Sequence, residues 1–143
     1  MTALFARLRT LSPHEIALLA EATAMLGLAS LAIACVPFRR VATLARAPQT
    51  PPAGAEPHTI RPVRWAVAAM ARRVPWRAKC LEQAFAAQWM LRRRAVAAVI
   101  HYGVARSGDE LKAHAWVRAG GTDVIGCENS GDFAEVARFP PAA

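Results

Sequence analysis

Apolar positions recur along this chain with two different periods, and the change falls near residue 95. Before it the spacing is helical. From Ile16 to Val36 the run is almost wholly apolar, with Glu21 its sole charge. Ser12-Pro13-His14-Glu15 introduces that run: Ser12 can cap the first turn, Pro13 suits the first helical position, and Glu15 can complete a capping box. The pattern predicts a helix to about Cys35, ended by Pro37, because the residue before a proline is pushed out of helical geometry. A short second helix is expected over Phe38 to Arg46. The segment from Pro48 to Pro57 holds four prolines and a glycine in ten residues, which reads as a linker. Ile60 to Arg73 returns to helical spacing through Trp65, Ala68, Ala69 and Arg72, and Val74-Pro75 closes it. A further helix is expected from Lys79 to Arg93, with Leu81, Phe85, Gln88 and Trp89 in register. Arg92-Arg93-Arg94 lies in its last turn, where cations complement the helix dipole.

After residue 95 the period becomes two. Val96 to Val104 is rich in β-formers, and Arg106-Ser107-Gly108-Asp109 is a turn. Leu111 to Ala119 predicts a second strand, Gly120-Gly121 a tight hairpin, and Thr122 to Cys127 a third strand. The tail from Glu128 to Ala143 reads as loop, anchored by Phe133 and Phe139. Helices first and an antiparallel meander afterwards is an α+β plan. The punctuation divides the chain into a helical extension over 1–47, a proline-rich linker over 48–58 and a core over 59–143.

Composition narrows the classes. A chain of 143 residues makes one domain with a modest core, and 55% hydrophobic content excludes disorder. The net charge of +8 points to an acidic partner, a nucleic acid or an anionic membrane surface. Three widely spaced cysteines, Cys35, Cys80 and Cys127, argue against a disulfide framework and for a reducing, cytoplasmic setting. The run from Ile16 to Val36 is near the roughly 20 residues needed to span a bilayer. Glu21, Thr23, Gly27 and Ser30 favour a helix packed against protein. Arg39 and Arg40 beyond it suit an interfacial anchor, so membrane association through Ile16–Val36 stays open.

The candidate chemistry starts at Cys80. A cysteine attacks as thiolate, and its pKa falls at a helix N-terminus and near cations. Cys80 opens a predicted helix, with Arg77 and Lys79 just before it, and the backbone N–H groups of that turn can hold an oxyanion. The competing reading is a buried structural cysteine, which is how Cys35 reads. His114 lies mid-strand on the same face as Lys112 and Trp116, with Ala113, Ala115 and Val117 on the other. Cysteine, histidine and an orienting polar group form a recurrent acyl-transfer constellation. A two-residue loop at Gly120-Gly121 sets His114 opposite Cys127. Glu128 is then the first candidate orienter, Asn129 the second and Asp123 the third. A loop at Ser107-Gly108 sets His101 opposite His114, where it could line a cleft or simply pack.

The motifs Val36-Pro37-Phe38-Arg39-Arg40, Val74-Pro75-Trp76-Arg77, Cys80-Leu81, Trp89-Met90-Leu91-Arg92-Arg93-Arg94, Tyr102-Gly103-Val104 and Ala113-His114-Ala115-Trp116-Val117 together resemble the lasso peptide biosynthesis B proteins, over about Leu18 to Phe139. The resemblance implies a transglutaminase/papain-like core, its cysteine-bearing helix packed on a small antiparallel sheet. It also implies a cysteine peptidase that removes the leader from a ribosomally made precursor, freeing the core peptide's amine for an ATP-dependent cyclase. Cys80 would be the nucleophile and His114 the base; Trp76, His101 and Trp116 are the candidates on this chain for lining the substrate cleft. The family's aspartate falls near Gly126 to Glu128, where this chain has none. No strand-rich segment precedes Pro48, so a separate leader-recognition protein is expected. No cofactor and no metal is implied.

Other classes fit less of the pattern. Cys80, His101, His114 and Cys127 lack a close ligand pair for zinc. The charges are scattered and few aromatics could stack bases, against nucleic acid. Acyl transfer to an amine would use the same residues. A non-catalytic scaffold of the same biosynthetic complex is kept alive by the missing aspartate.

Overall fold

A computed structural model describes residues 2–37, 39–41, 43 and 57–140. Helix α1 (Thr2–Leu8) leads into α2 (Pro13–Cys35), and α2 starts as its sequence dictates. The Ser12 hydroxyl accepts from the Glu15 N–H at 3.2 Å, and the Glu15 carboxylate accepts from the Ser12 N–H at 2.7 Å. Val36, just before Pro37, is extended and ends the helix. Of the short helix expected over Phe38 to Arg46, residues 39–41 and 43 are helical and the rest lie outside the described residues. The same holds for the linker up to residue 56. Pro57 and His58 already belong to α3 (Pro57–Ala71), and α4 (Cys80–Arg92) follows.

At its far end α4 closes with a 6→1 bond from Val96 N–H to the Leu91 carbonyl (3.0 Å) and a 5→2 bond from Ala95 N–H to that of Arg92 (3.0 Å). Ala95, at φ 57°, occupies the left-handed position that glycine usually takes there. This turn sends the chain directly back into the sheet. The strands are β1 (Val99–Ser107), β2 (Glu110–Ala119), β3 (Thr122–Ile125) and β4 (Ala134–Phe139), in the order β3-β2-β1-β4, all antiparallel.

The fold is the α+β arrangement read from the sequence, with three departures. The tail is not loop: a 3-10 turn at Ser130–Asp132 precedes β4, which pairs along β1. The first hairpin turns at Gly108-Asp109, so His101 opposes Trp116 and Gly103 opposes His114. A two-residue slip keeps every side chain on its predicted face, which is why alternation alone could not set the register. In the second hairpin, Gly120-Gly121 is the loop as expected. A bulge between Val117 and Arg118 then pairs Val117 with Ile125, and the strand stops there, short of Cys127.

One core joins α2, α3, α4 and the sheet. Leu18, Ala22, Leu26 and Ala29 of α2, Ile60, Val63, Ala66 and Val67 of α3, and Phe85, Met90 and Leu91 of α4 are buried together against Ile100, Ala115, Val117 and Phe139 of the sheet. Burying each large side chain contributes about 1.5–3 kcal/mol. Gln88, fully buried in α4, donates to the carbonyls of Ala98 and Phe139, both at 3.0 Å, and so pins the helix over the start of β1 and the end of β4. Glu21 accepts from Arg94 at 2.7 and 2.9 Å, tying α2 to the end of α4. The Arg94 hydrogen bond, against some desolvation, holds the Glu21 carboxyl below its ordinary range.

Candidate active site

Cys80 is the first residue of α4 and is half-buried against the core. Lys79 before it is extended, and its N–H donates to the Glu82 carboxylate at 3.2 Å. Glu82 is buried, and Arg77 Nε lies 3.5 Å from it. The cation expected beside Cys80 is therefore engaged with a carboxylate one turn into the helix, a pairing that sequence spacing did not signal. Trp76 lies over α2, where a Cβ at Gly27 would meet its ring at 3.5 Å. The loop that carries the cysteine is thus braced by the N-terminal helix.

His114 is placed by β2. Its Nε2 lies 2.7 Å from the Gly126 carbonyl oxygen, which can only accept, so Nε2 carries the hydrogen. Nδ1 is then the basic nitrogen, and the described residues offer it no hydrogen bond. The ring packs among aromatics: Phe133 is tilted against it at 5.0 Å, Trp116 stacks at 5.9 Å, and His101 stacks nearly parallel on Trp116 at 5.7 Å. Gly103 makes room for this packing, since a Cβ there would lie 3.0 Å from Trp116, Phe133 and the Ala134 carbonyl. His101 Nδ1 meets the Glu135 carboxylate at 2.7 Å, and Arg138 donates to the same carboxylate at 2.9 and 3.0 Å. Burial pushes the Glu135 carboxyl up, but the hydrogen bonds from Arg138 and His101 outweigh it and hold it low.

Glu128 makes no hydrogen bond to His114: its carboxylate is exposed and pairs with Arg64 at 3.3 Å. Asp123 pairs with Arg118 at 3.0 Å, and Asn129 leads into the 3-10 turn. Cys127 donates to the Val117 carbonyl at 3.2 Å, and burial raises its thiol above the ordinary range. The register bulge is the physical reason: it stops β3 at Ile125, and Gly126, at φ 75°, turns its own carbonyl toward the imidazole. The glycine was the available signal, but nothing in the sequence marks which carbonyl it would turn.

Helix α4 covers the face of β2 that carries Ala115, Val117 and Ala119. His114 and Trp116 leave the strand on the alternate face, and Cys80 Sγ makes no hydrogen bond to the imidazole. Of the cleft residues expected from the sequence, His101 and Trp116 lie with His114, whereas Trp76 packs over Gly27 of α2. Among the described residues no group of three or more histidine, cysteine or acidic side chains is arranged to hold a metal ion.

A family model for the transglutaminase-like superfamily matches residues 7–138, from α1 to the end of β4. No curated protein and no solved structure matches the chain.

Proposed function

The chain belongs to the transglutaminase-like superfamily, and from that premise we propose that it is a cysteine peptidase that removes the leader from a ribosomally made lasso precursor. Cys80 Sγ attacks the scissile carbonyl, and His114 Nδ1 takes the thiol proton and passes it to the departing amine of the core peptide. The N–H groups of the first turn of α4 face the developing oxyanion. Water, deprotonated by the same imidazole, then releases the leader from Cys80 as a free acid. The freed amine is the substrate of a partner ATP-dependent cyclase, and a separate leader-recognition protein presents the precursor, in the cytoplasm.

The observation that carries this reading is the His114 tautomer: Nε2–H is committed to the Gly126 carbonyl, which leaves Nδ1 as the base. A carbonyl replaces the aspartate of the family pattern, so the imidazole is oriented but its protonated form gains less from its partner. The mechanism also requires Cys80 and His114, which share no hydrogen bond here, to be brought together when substrate binds.

That same separation favours a second reading, a scaffold of the biosynthetic complex without catalysis. One experiment divides the two. Precursor is incubated with the protein and its leader-binding partner, and the products are read by mass spectrometry. The peptidase yields leader and free core, and Cys80→Ala abolishes both while leaving the melting temperature intact. Equal processing by Cys80→Ala would overturn the peptidase reading, and no processing by either protein supports the scaffold.

A further inference from the structure

Helix α2 has two unlike faces. Leu18, Ala22, Leu26 and Ala29 are buried in the core, and Glu21, the sole charge between Ile16 and Cys35, is turned toward Arg93 and Arg94 at the end of α4. The other face, through Ala17, Ala20, Ala24, Leu28, Leu31 and Cys35, is exposed and carries no charge. Ile16, Leu28 and Leu31 are 46%, 54% and 62% exposed. Exposed arginines bracket this stripe, Arg7 and Arg9 before it and Arg39 and Arg40 after it.

By length and composition α2 is the one described helix that could cross a membrane. Its anchoring argues against crossing. To span, it would have to leave α3 and α4, uncover four core positions and carry Glu21 into hydrocarbon without Arg94. A second copy of the chain is also a poor match, since pairing two such stripes in either direction sets arginines against arginines.

We propose that the outward face of α2 binds the surface of an anionic phospholipid bilayer, with the helix axis in the membrane plane. The apolar stripe enters the acyl boundary and the four arginines meet lipid phosphates. This inference does not depend on the peptidase reading, and its test measures no activity.

The full chain is floated with vesicles of phosphatidylcholine alone and of phosphatidylcholine mixed with phosphatidylglycerol. It should float with the mixed vesicles, not with the neutral ones, and alkaline carbonate should release it. Each arginine near such a surface strengthens binding about fivefold, so Arg39→Gln with Arg40→Gln should weaken it about thirtyfold. Leu28→Gln with Leu31→Gln should abolish flotation with the circular dichroism spectrum unchanged, because both side chains are exposed. Three results would overturn the proposal: equal binding to neutral vesicles, retention after carbonate, or wild-type binding by either double variant. So would a dimer, detected by light scattering, that the leucine variant dissolves while vesicles are ignored.

Discussion

Replacing Gly126 with alanine tests how the imidazole is held, and its cost can be worked from the structure. Gly126 sits at φ 75°, where a side chain costs about 1–2 kcal/mol. Alanine returns about 0.4–1 kcal/mol by restricting the unfolded chain. Gly121, at φ 81° with nothing within 4 Å of an added Cβ, shows these terms alone. Gly121→Ala should therefore destabilise by no more than about 1–1.5 kcal/mol. At Gly126 the added carbon would lie 2.8 Å from the Ala115 carbonyl and 3.3 Å from the Trp116 Cα and Cβ. Most of these are backbone atoms of β2, which cannot swing aside, so overpacking adds about 1–3 kcal/mol. Gly126→Ala should therefore fall about 1–3 kcal/mol below Gly121→Ala in urea unfolding, with an unchanged slope. Relief requires the Gly126 carbonyl to move from His114. Losing a bond worth about 1 kcal/mol should slow leader removal about fivefold, whereas Gly121→Ala should leave turnover intact. Equal stabilities for the two variants, or equal turnover, would refute this account of the site.

Glu128→Gln should leave turnover unchanged, because that carboxylate faces Arg64 and not the imidazole; a slowing in steady-state cleavage would restore it as the orienter. Glu21→Gln should lower stability by about 1–2 kcal/mol at pH 7 by removing the charged partner of Arg94. Because the Glu21 carboxyl is held below its reference value of 4.5, its contribution is complete above that pH and is lost as pH falls through the lower, folded value. The gap in melting temperature between wild type and Glu21→Gln should thus be widest near neutrality and shrink toward pH 3; a constant gap would contradict the pairing.

Much of this fold was legible because local chemistry decided it. The Ser12 cap and Pro37 stop fix α2 within the chain's own neighbourhood, and the Gly120-Gly121 loop fixes one hairpin. What escaped depends on partners distant in sequence. Strand β4 is an edge strand with mostly exposed side chains, so neither alanine nor charge betrays it until β1 supplies hydrogen bonds. The pairing of His101 with Trp116 hung on one turn residue, and faces survived the slip while partners did not. Cys80 and His114 are singled out as candidates by residue type and motif. Their mutual placement is not, because which face of β2 the helix covers follows from core packing of Ala115 and Val117 rather than from any local signal. The Gly126 carbonyl was invisible for a related reason, since every residue has a carbonyl and only a bulge selects one.

Whether the Cys80 sulfur and the His114 imidazole work as one unit is read by intact-mass spectrometry of the protein mixed with precursor. A transient adduct is expected on Cys80 equal to the leader less one water, the thioester formed as the core amine departs. Cys80→Ala should form none, and His114→Ala should form it about 10²–10⁴ times more slowly. Leader released by His114→Ala at the wild-type rate, or an adduct carried by any residue other than Cys80, would contradict that joint action.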